Sequence, residues 1–421
     1  YIESILLMLR TKVLLNNGDL SKTEIVWFYP ASMTQNRFNK FKAEWENTFA
    51  TLFGAPISNI IAASESVAPY YYHKAKKGAT STVVSVDIGG GTTDVLIVDK
   101  GEPKYLTSFR FAANTIFGDG YSYDSDSNGF VNKYKDIITN QLETNNLRGL
   151  KAVLKSVLDK RVSTDVIAFL FSLASNKEIK KEKVEINFAK MLADDNRGKY
   201  VVILFYVAIV YHIAKLMKAK GFDMPRHMTF SGNGSKVLNI LSTNDATLVR
   251  LTKIIFEEIY AQSYSIDGLD IIRPANSKES TCKGGIILTP FQSQDYGEIK
   301  DMKTILIGTD NEKFADVHMT YNDVTEADLD SVVDVIKEYI EFTFKLDKKF
   351  SFYDNFDVDR SIMNKVKDLC YRDIRTYLEN GLAIKKSEIA QDGADDNLEE
   401  TLFFYPLVGI INAVVRNIYQ M

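Results

Sequence analysis

Cysteine is scarce in this sequence, and the two that are present cannot form a disulfide framework. The 421 residues include only Cys282 and Cys370, and neither has partners at the spacing of metal ligands. The four histidines are scattered along the chain without a cysteine or carboxylate at metal-site spacing. We therefore expect no disulfide scaffold and no transition-metal centre, and a reducing, cytoplasmic compartment is the simplest expectation.

The sequence also lacks a charge excess of either sign. It carries 51 basic and 55 acidic side chains, for a net charge of −4, and no dense Lys/Arg block occurs anywhere. A nucleic-acid-binding domain usually has a strongly basic stripe or patch. The composition therefore does not indicate a nucleic-acid partner.

Long apolar runs are missing too, with one exception at residues 200–214, YVVILFYVAIVYHIA. This run has about 15 residues, fewer than the roughly 20 that a membrane-spanning helix needs. Lys199 and Lys215 bound it closely. The pattern predicts a buried core helix, and we expect no membrane span in this chain.

The order of apolar patterns predicts an α/β protein with two or three domain-sized cores. The pattern predicts helices at 2–14, 34–53 and 65–76 separated by strands at 24–29 and 59–63, and then three successive strands between residues 81 and 111. A helical region of about 125–222 is followed by a strand at 227–230. Near the end, a Thr-x-x-Asp capping box at Thr325 and Asp328 opens a predicted helix. A further helix, 358–379, is predicted to end at Asn380-Gly381, and a final apolar helix of about 400–420 is predicted to be interrupted at Pro406.

The segment 83–94, VVSVDIGGGTTD, carries the clearest chemical signal. Gly89, Gly90 and Gly91 would let backbone N–H groups approach a phosphate chain, with Thr92 and Thr93 as hydroxyl donors. Two carboxylates flank the turn, Asp87 and Asp94, and a carboxylate at such a site can hold the hydration shell of Mg²⁺ or orient a water. The flanking runs alternate, so the glycines should close a hairpin, which excludes a Walker A loop and a dinucleotide fingerprint. A plain glycine-rich turn is the alternative, but the paired Asp and Thr residues favour phosphate binding.

This segment resembles the second phosphate motif of the actin-like ATPase superfamily, which includes actins, seventy-kilodalton heat-shock chaperones, plasmid-segregation actins and sugar kinases. Further stretches resemble that superfamily in order, and the chaperone-type ATPase domain is the nearest in pattern. They are EIVWFYPASMTQNRFNKFKAEW at 24–45, ASESVAPYYYHKA at 63–75, FAANTIFGDGY at 111–121, MTFSGNGSKVLNIL at 228–241 and NSKESTCKGGIIL at 276–288. The resemblance covers roughly residues 1–290.

The resemblance implies ATP or ADP with Mg²⁺ as ligands, and it implies a role for each matching residue. Asp87 would act on the Mg²⁺ hydration shell or the lytic water, and Glu65 would orient water near the γ-phosphate. Gly89, Gly90 and Thr92 would hold the β- and γ-phosphates. Four residues would line the adenosine, namely Gly232, Asn233, Gly234 and Lys236. Glu279 occupies the place of an acidic residue in the second connecting segment. Glu65 and Lys236 could instead be solvated surface residues, and Gly232 and Gly234 could only form a tight turn.

One family motif has no counterpart here, because no Asp-x-Gly-Thr hairpin precedes residue 83. We expect that hairpin to lie on a segment upstream of Tyr1 in a longer protein, and ATPase activity to depend on it. The implied fold is a two-lobed actin-like ATPase with ribonuclease H-like lobes. Residues 1–82 would be the remainder of lobe I, 83–290 lobe II with the second connecting segment, and 291–421 an α-rich addition with a closing helix.

The function that these features favour is an ATP-binding module in which nucleotide state drives lobe closure and interaction with a partner protein. Three alternatives remain open at this point: a filament-forming cytoskeletal ATPase, a nucleotide sensor without turnover, and a small-molecule kinase. Besides the nucleotide, the expected partner is another protein or a further copy of the chain.

Overall fold

The structure is a computed structural model of the chain, and it describes residues 1–30, 33, 35–77, 82–121, 125, 128–265, 268–274, 277–287, 319–392, 398 and 400–421. The strands are β1 Ile25–Tyr29, β2 Ile60–Ser64, β3 Val83–Ile88, β4 Thr93–Asp99, β5 Glu102–Phe109, β6 His227–Ser231 and β7 Asp270–Ile272. The first thirteen helices are α1 Ile2–Leu15, α2 Gln35–Phe53, α3 Ala68–Lys77, α4 Ala113–Phe117, α5 Gly129–Thr144, α6 Arg148–Asp159, α7 Ser163–Ser172, α8 Lys177–Lys181, α9 Phe188–Ala193, α10 Lys199–Ala219, α11 Leu238–Leu241, α12 Asp245–Tyr260 and α13 Ser277–Ile287. The remaining helices are α14 Glu326–Phe350, α15 Phe352–Phe356, α16 Met363–Cys370, α17 Ile374–Asp392 and α18 Phe404–Asn417.

The first lobe contains a small parallel sheet of β1 and β2, in which Ile25 pairs with Ile60. The aromatic face of α2 packs against β1. Trp45 stacks on Trp27 with ring centroids 5.5 Å apart and planes 7° apart, and Phe38 stacks on the same ring at 6.2 Å. Aromatic burial on one face of α2 therefore holds this short sheet together.

The second lobe is built on a five-stranded sheet with the order β5-β4-β3-β6-β7. Strands β3, β4 and β5 are antiparallel neighbours, whereas β6 and β7 run parallel to β3. Every residue of β4 from Thr93 to Val98 is buried, so both faces of the sheet are covered. The carboxyl ends of β3 and β6 consequently lie side by side at one edge of the sheet.

Helix α10 forms the centre of the helical layer. By length and composition it could span a membrane, but 94% of its most apolar window is buried inside the protein. All residues from Lys199 to Ala214 are buried, as expected for the predicted core helix. The helix packs against α12, α14 and α18.

The C-terminal helices share the hydrophobic core of the second lobe. Phe404 on α18 stacks on Phe109 of β5 with ring centroids 4.0 Å apart, and its ring centroid lies 4.7 Å from that of Phe111. Nearby, the buried Glu400 accepts a hydrogen bond of 2.9 Å from the backbone N–H of Arg110 and another of 2.9 Å from the Tyr405 hydroxyl. The predicted boundary near residue 290 stays a prediction, because residues 288–318 lie outside the described part of the chain.

Two helix predictions near the C-terminus are wrong. The chain does not stop at Asn380-Gly381, since α17 continues through both residues to Asp392. A Cβ at position 381 would lie 2.6 Å from the Tyr121 hydroxyl and 3.0 Å from the Tyr405 Cβ, so Gly381 allows close packing there and does not end the helix. Pro406 does not interrupt the last helix, because it lies in the first turn of α18, where a backbone N–H has no intrahelical partner. The capping box at Thr325 and Asp328 does open α14 as predicted.

The two connecting segments form a pair of closely packed helices, α3 and α13. Gly284 of α13 lies against the backbone of Ala68 in α3 so closely that a Cβ at 284 would overlap the Ala68 carbonyl. A Cβ at Gly285 would overlap the Phe28 ring of β1. Helix α3 begins at Ala68, three residues later than the sequence pattern suggested, so Glu65 lies in the turn before it.

Candidate functional site

The glycine hairpin, residues 89–92, connects β3 to β4 as predicted. Its register pairs Ile88 with Thr93, and the N–H of Gly89 donates to the Thr92 carbonyl over 2.9 Å. From behind, the carbonyls of Gly89 and Gly90 accept hydrogen bonds from the N–H groups of Ala113 (3.3 Å) and Asn114 (2.8 Å) at the start of α4. The hairpin is therefore held rigid through its carbonyl oxygens.

The other N–H groups of the hairpin remain available. Within the described part of the chain, the N–H groups of Gly90, Gly91 and Thr92 donate to no protein acceptor. Gly90 and Gly91 are exposed to solvent. Consecutive unpaired N–H groups in a tight turn form a concave surface of positive partial charge that suits an anion.

A second glycine turn, residues 232–236, follows β6 and lies directly against the first. Gly232 has a φ of +81°, and a Cβ there would overlap the Ile88 carbonyl oxygen and a carboxylate oxygen of Asp87. A Cβ at Gly234 would overlap the Gly89 carbonyl oxygen. Only glycine permits both this backbone conformation and this close approach, so the two turns form one unit.

The second turn adds its own unpaired donors to the same place. Among the described residues, the N–H groups of Asn233 and Gly234 also lack a protein acceptor. Gly89, Gly90, Asn233, Gly234 and Lys236 all line one cavity of about 850 Å³. The two turns thus adjoin a shared space.

A ring of elements encloses this cavity. Helix α4 packs on α7, α7 on α9, α9 on α11, and the second turn closes the ring against α4 and β3. The remaining wall is mostly apolar on the side of α4, α7 and α9. Its residues there are Ala113, Asn114, Phe117, Thr164, Ile167, Ala168, Phe171, Asn187, Ala189, Lys190 and Ala193, while Val237, Asn239, Ile240 and Thr243 complete the lining beside α11.

Two charged side chains belong to the described lining of the cavity, and both are positive. Lys190 forms an ion pair of 3.1 Å with Glu185, which neutralises it in part. Lys236 has no carboxylate within ion-pair distance among the described residues. No acidic side chain is part of the described lining, so the cavity favours an anionic ligand.

The carboxylates lie on the β3 side of the hairpin. Asp87 is half-buried, and its Oδ2 accepts a hydrogen bond of 3.1 Å from the Ser231 hydroxyl on β6. Asp94 is buried, and its Oδ2 accepts a hydrogen bond of 2.9 Å from the Ser66 hydroxyl. Because Ser66 follows Glu65, this contact brings the turn that carries Glu65 beside the hairpin.

Three of the predicted ligand contacts need correction. The Gly89 N–H donates to the Thr92 carbonyl and closes the hairpin, so it is not available to a phosphate. Thr93 is fully buried, and its hydroxyl donates to the Phe111 carbonyl over 2.6 Å, so its hydroxyl proton is not available to a phosphate. Glu279 is an exposed residue of α13 that pairs with Lys283 and takes no part in the cavity lining.

Helix α3, the glycine hairpin, the second glycine turn and helix α13 follow one another along the chain in the order that the resemblance implied. The fold is actin-like. A scan against models of protein families finds no match, and a search of curated proteins finds none either.

Among solved structures, two bacterial proteins are similar to this chain over most of its length. The ethanolamine utilization protein EutJ from Carboxydothermus hydrogenoformans is 12% identical, with 68% of this chain and 74% of that chain covered at a TM-score of 0.30. MreB5 of Spiroplasma citri, determined bound to ADP, is 14% identical, with 70% of this chain and 78% of that chain covered at a TM-score of 0.30.

Sequence reasoning missed the wall that α7 and α9 contribute. Phe171, Ile167 and Asn187 line the cavity although they are more than 70 residues from the glycine hairpin. Their spacing in the sequence is that of ordinary amphipathic helices, which carries no signal for a ligand. Only the packing of α7 on α4 brings them to the site.

The donor set fits a phosphate-bound magnesium ion better than a protein-held metal. Within the described ranges, no group of three or more His, Cys, Asp or Glu side chains is placed to hold a metal ion. Mg²⁺ commonly keeps several waters and binds through one or two carboxylates together with substrate phosphates. Asp87, half-buried beside the unpaired N–H groups, fits that mode of binding.

Proposed function

We propose that this chain binds ATP or ADP together with Mg²⁺ in the cavity between the two glycine turns. The observation that carries the proposal is that the two glycine turns adjoin one cavity together with a cationic side chain. Among the described residues, five N–H groups of these turns have no protein acceptor, and they belong to Gly90, Gly91, Thr92, Asn233 and Gly234. Gly90, Asn233, Gly234 and the cation, Lys236, line the cavity itself. A cavity of about 850 Å³ is within the size range of small-molecule and cofactor pockets.

Each part of the site has a definite task in this proposal. The hairpin N–H groups bind the terminal phosphates, and the N–H groups of Asn233 and Gly234 bind the phosphate nearest the ribose. Lys236 lies beside the ribose and neutralises charge. Asp87 would hold a water of the Mg²⁺ hydration shell. The hydrogen bond that the Ser231 hydroxyl donates to Asp87 orients this carboxylate. Glu65 directs water toward the γ-phosphate when hydrolysis occurs.

The proposed output is a rotation of one lobe relative to the other. Helices α3 and α13 meet at Gly284 and Ala68 with no side chain between their backbones, so few side chains would have to repack when the angle between the two helices changes. Phosphate contacts on the second lobe would then bias that angle, and a partner protein would bind one arrangement of the lobes in preference to the other.

Isothermal titration of the chain with ATP and ADP, with and without Mg²⁺, tests the proposal. We expect one site, and an affinity about 10-fold lower for Lys236→Ala because a charge-assisted contact is lost. Lys180→Ala, an exposed lysine of α8, is the matched control and should bind like the wild type. Asp87→Asn should abolish the Mg²⁺-dependent gain while Mg²⁺-free binding is retained. Absence of heat with the wild-type chain would overturn the proposal.

Self-assembly is a second candidate, and helix α1 favours it. Leu7, Met8, Leu14 and Leu15 are exposed large apolar side chains on this short helix, and Met8 and Leu15 are 62% and 76% exposed. Large apolar side chains exposed together on one helix mark a candidate interaction site. Light scattering with ATP should rise for the wild type and stay flat for a Met8→Lys, Leu15→Glu double variant. Release of phosphate in the same samples separates an ATPase from a sensor without turnover.

A further inference from the structure

We propose that Phe171 of α7 forms the stacking surface for the nucleotide base, so that the helical region recognises the base while the glycine turns recognise the phosphates. This inference rests on the proposed function, because it needs a nucleotide in the cavity. It assigns a specificity role to a residue that lies outside every motif of the sequence.

Phe171 is the open member of an aromatic cluster on the cavity wall. Its ring lies edge-to-face with Phe117 at 5.5 Å and with Phe188 at 4.9 Å, and these two rings are buried. Phe171 itself is 37% exposed and lines the cavity. An aromatic ring fixed by two neighbours and open toward a cavity is a preorganised stacking surface.

The cluster is connected to the phosphate end of the site through α4. The first residues of α4 bond the carbonyls of Gly89 and Gly90, and Phe117 is the last residue of the same five-residue helix. One short helix therefore fixes the spacing between the hairpin and the aromatic wall. A ligand with an anionic group at one end and a flat apolar ring at the other matches this arrangement of hairpin donors and aromatic wall.

The polar groups near the aromatic wall present donors. The Oδ1 of Asn187 accepts the N–H of Lys190 over 3.1 Å, and the Oδ1 of Asn239 accepts from Arg273 over 2.9 Å. Both residues line the cavity, so each amide Nδ2 is a candidate donor to a base. Purines and pyrimidines both carry acceptors for such donors, so the amides do not separate the two classes. We infer that the larger stacking surface of a purine sets a preference for purines over pyrimidines, with little preference between adenine and guanine.

Titrations with ATP, GTP, UTP and inorganic tripolyphosphate separate the base from the phosphates. The wild type should bind ATP and GTP within a few-fold of each other, and UTP on the order of 10-fold more weakly, because a smaller ring stacks less surface. Phe171→Ala should lose on the order of 10-fold in ATP affinity and should erase the difference between ATP and UTP. Its affinity for tripolyphosphate should stay at the wild-type value. Phe171→Tyr keeps the ring and should keep the purine preference.

The possible contradictions are distinct. Equal losses for ATP and tripolyphosphate in Phe171→Ala, or an unchanged preference for ATP over UTP, would overturn the stacking role. If the wild type binds neither ATP nor tripolyphosphate, the proposed function itself fails. Tyr353→Ala removes an exposed ring on α15 and serves as the control, with no change expected for any of the four ligands. Thermal melting of both alanine variants shows that folding is retained.

Discussion

At the scale of single residues, glycine positions decide whether the two turns can meet. Gly234 and Gly149 are both glycines but occupy opposite environments. A Cβ at 234 would overlap the Gly89 carbonyl, whereas a Cβ at 149 on α6 would have no atom within 4 Å. The pair therefore separates the loss of a close approach from the mere loss of a glycine.

Gly234→Ala should push the second turn away from the hairpin and move two N–H donors out of position. We expect ATP affinity to fall at least on the order of 10-fold, as for the loss of one or two hydrogen bonds to a charged group. Gly149→Ala adds a methyl group to an open position of α6, away from the cavity, and should bind ATP like the wild type. Calorimetry on both variants checks this, and equal losses would contradict the interlocked geometry.

His212 is a second residue whose environment sets a measurable property. Its ring is buried among Phe109, Phe403 and Phe404, and burial lowers the pKa of its imidazole to about 3. The unfolded chain binds a proton at this histidine below about pH 6.5, and the folded chain does not until the pH is far lower. Stability must therefore fall as pH decreases from about 6.5 toward 3.

Between pH 7.5 and pH 5, His212 should cost the folded state about 2 kcal/mol. Urea denaturation of the wild type and of His212→Leu at both pH values checks this. The variant lacks the titrating ring, so its free energy of unfolding should fall by about 2 kcal/mol less than that of the wild type over this range. Parallel losses in the two proteins would show that the ring is not buried as described.

At the scale of elements, the close contact between α3 and α13 depends on the absence of a side chain at position 284. Gly284→Val would place methyl groups where the Ala68 backbone lies, and the helices would have to separate. Overpacking of this kind typically costs about 1–3 kcal/mol or more. We expect a clear drop in the melting temperature.

Ile286 on the same helix supplies the control for this prediction. It is 82% exposed, so Ile286→Val should leave the melting temperature almost unchanged. A Gly284→Val protein as stable as the wild type would show that the two connecting helices are not in close contact there.

At the scale of the whole molecule, the C-terminal helices behave as part of the second lobe. Phe404 fills the space beside Phe109 and Phe111, and the buried Glu400 satisfies Arg110. Phe404, Phe109 and Phe111 are all buried and belong to one continuous hydrophobic cluster. Removing the C-terminal region would expose this apolar surface to water.

Residues 1–300 expressed alone should therefore aggregate or unfold without a cooperative transition. Co-expression of 1–300 with 301–421 keeps every side chain while cutting one peptide bond, and the two pieces should co-purify as a soluble complex. A soluble, cooperatively folding 1–300 fragment would contradict a shared core. Gel filtration and thermal melting measure both outcomes.

The sequence by itself determined the features that depend on neighbours along the chain. Alternation of apolar residues around Gly89, Gly90 and Gly91 predicted the β3–β4 hairpin, and the capping box at Thr325 predicted the start of α14. The ordered motifs also predicted the actin-like fold. These signals are readable because backbone hydrogen bonding and side-chain periodicity act over a few residues.

Only the tertiary structure decided which groups face the cavity and which helices join the core. Thr93 turned its hydroxyl to Phe111, Gly381 served close packing inside α17, and Phe171 reached the site from a distant helix. Each outcome depends on contacts between residues far apart in the chain. Burial and shape complementarity fix such contacts, and no local pattern records them.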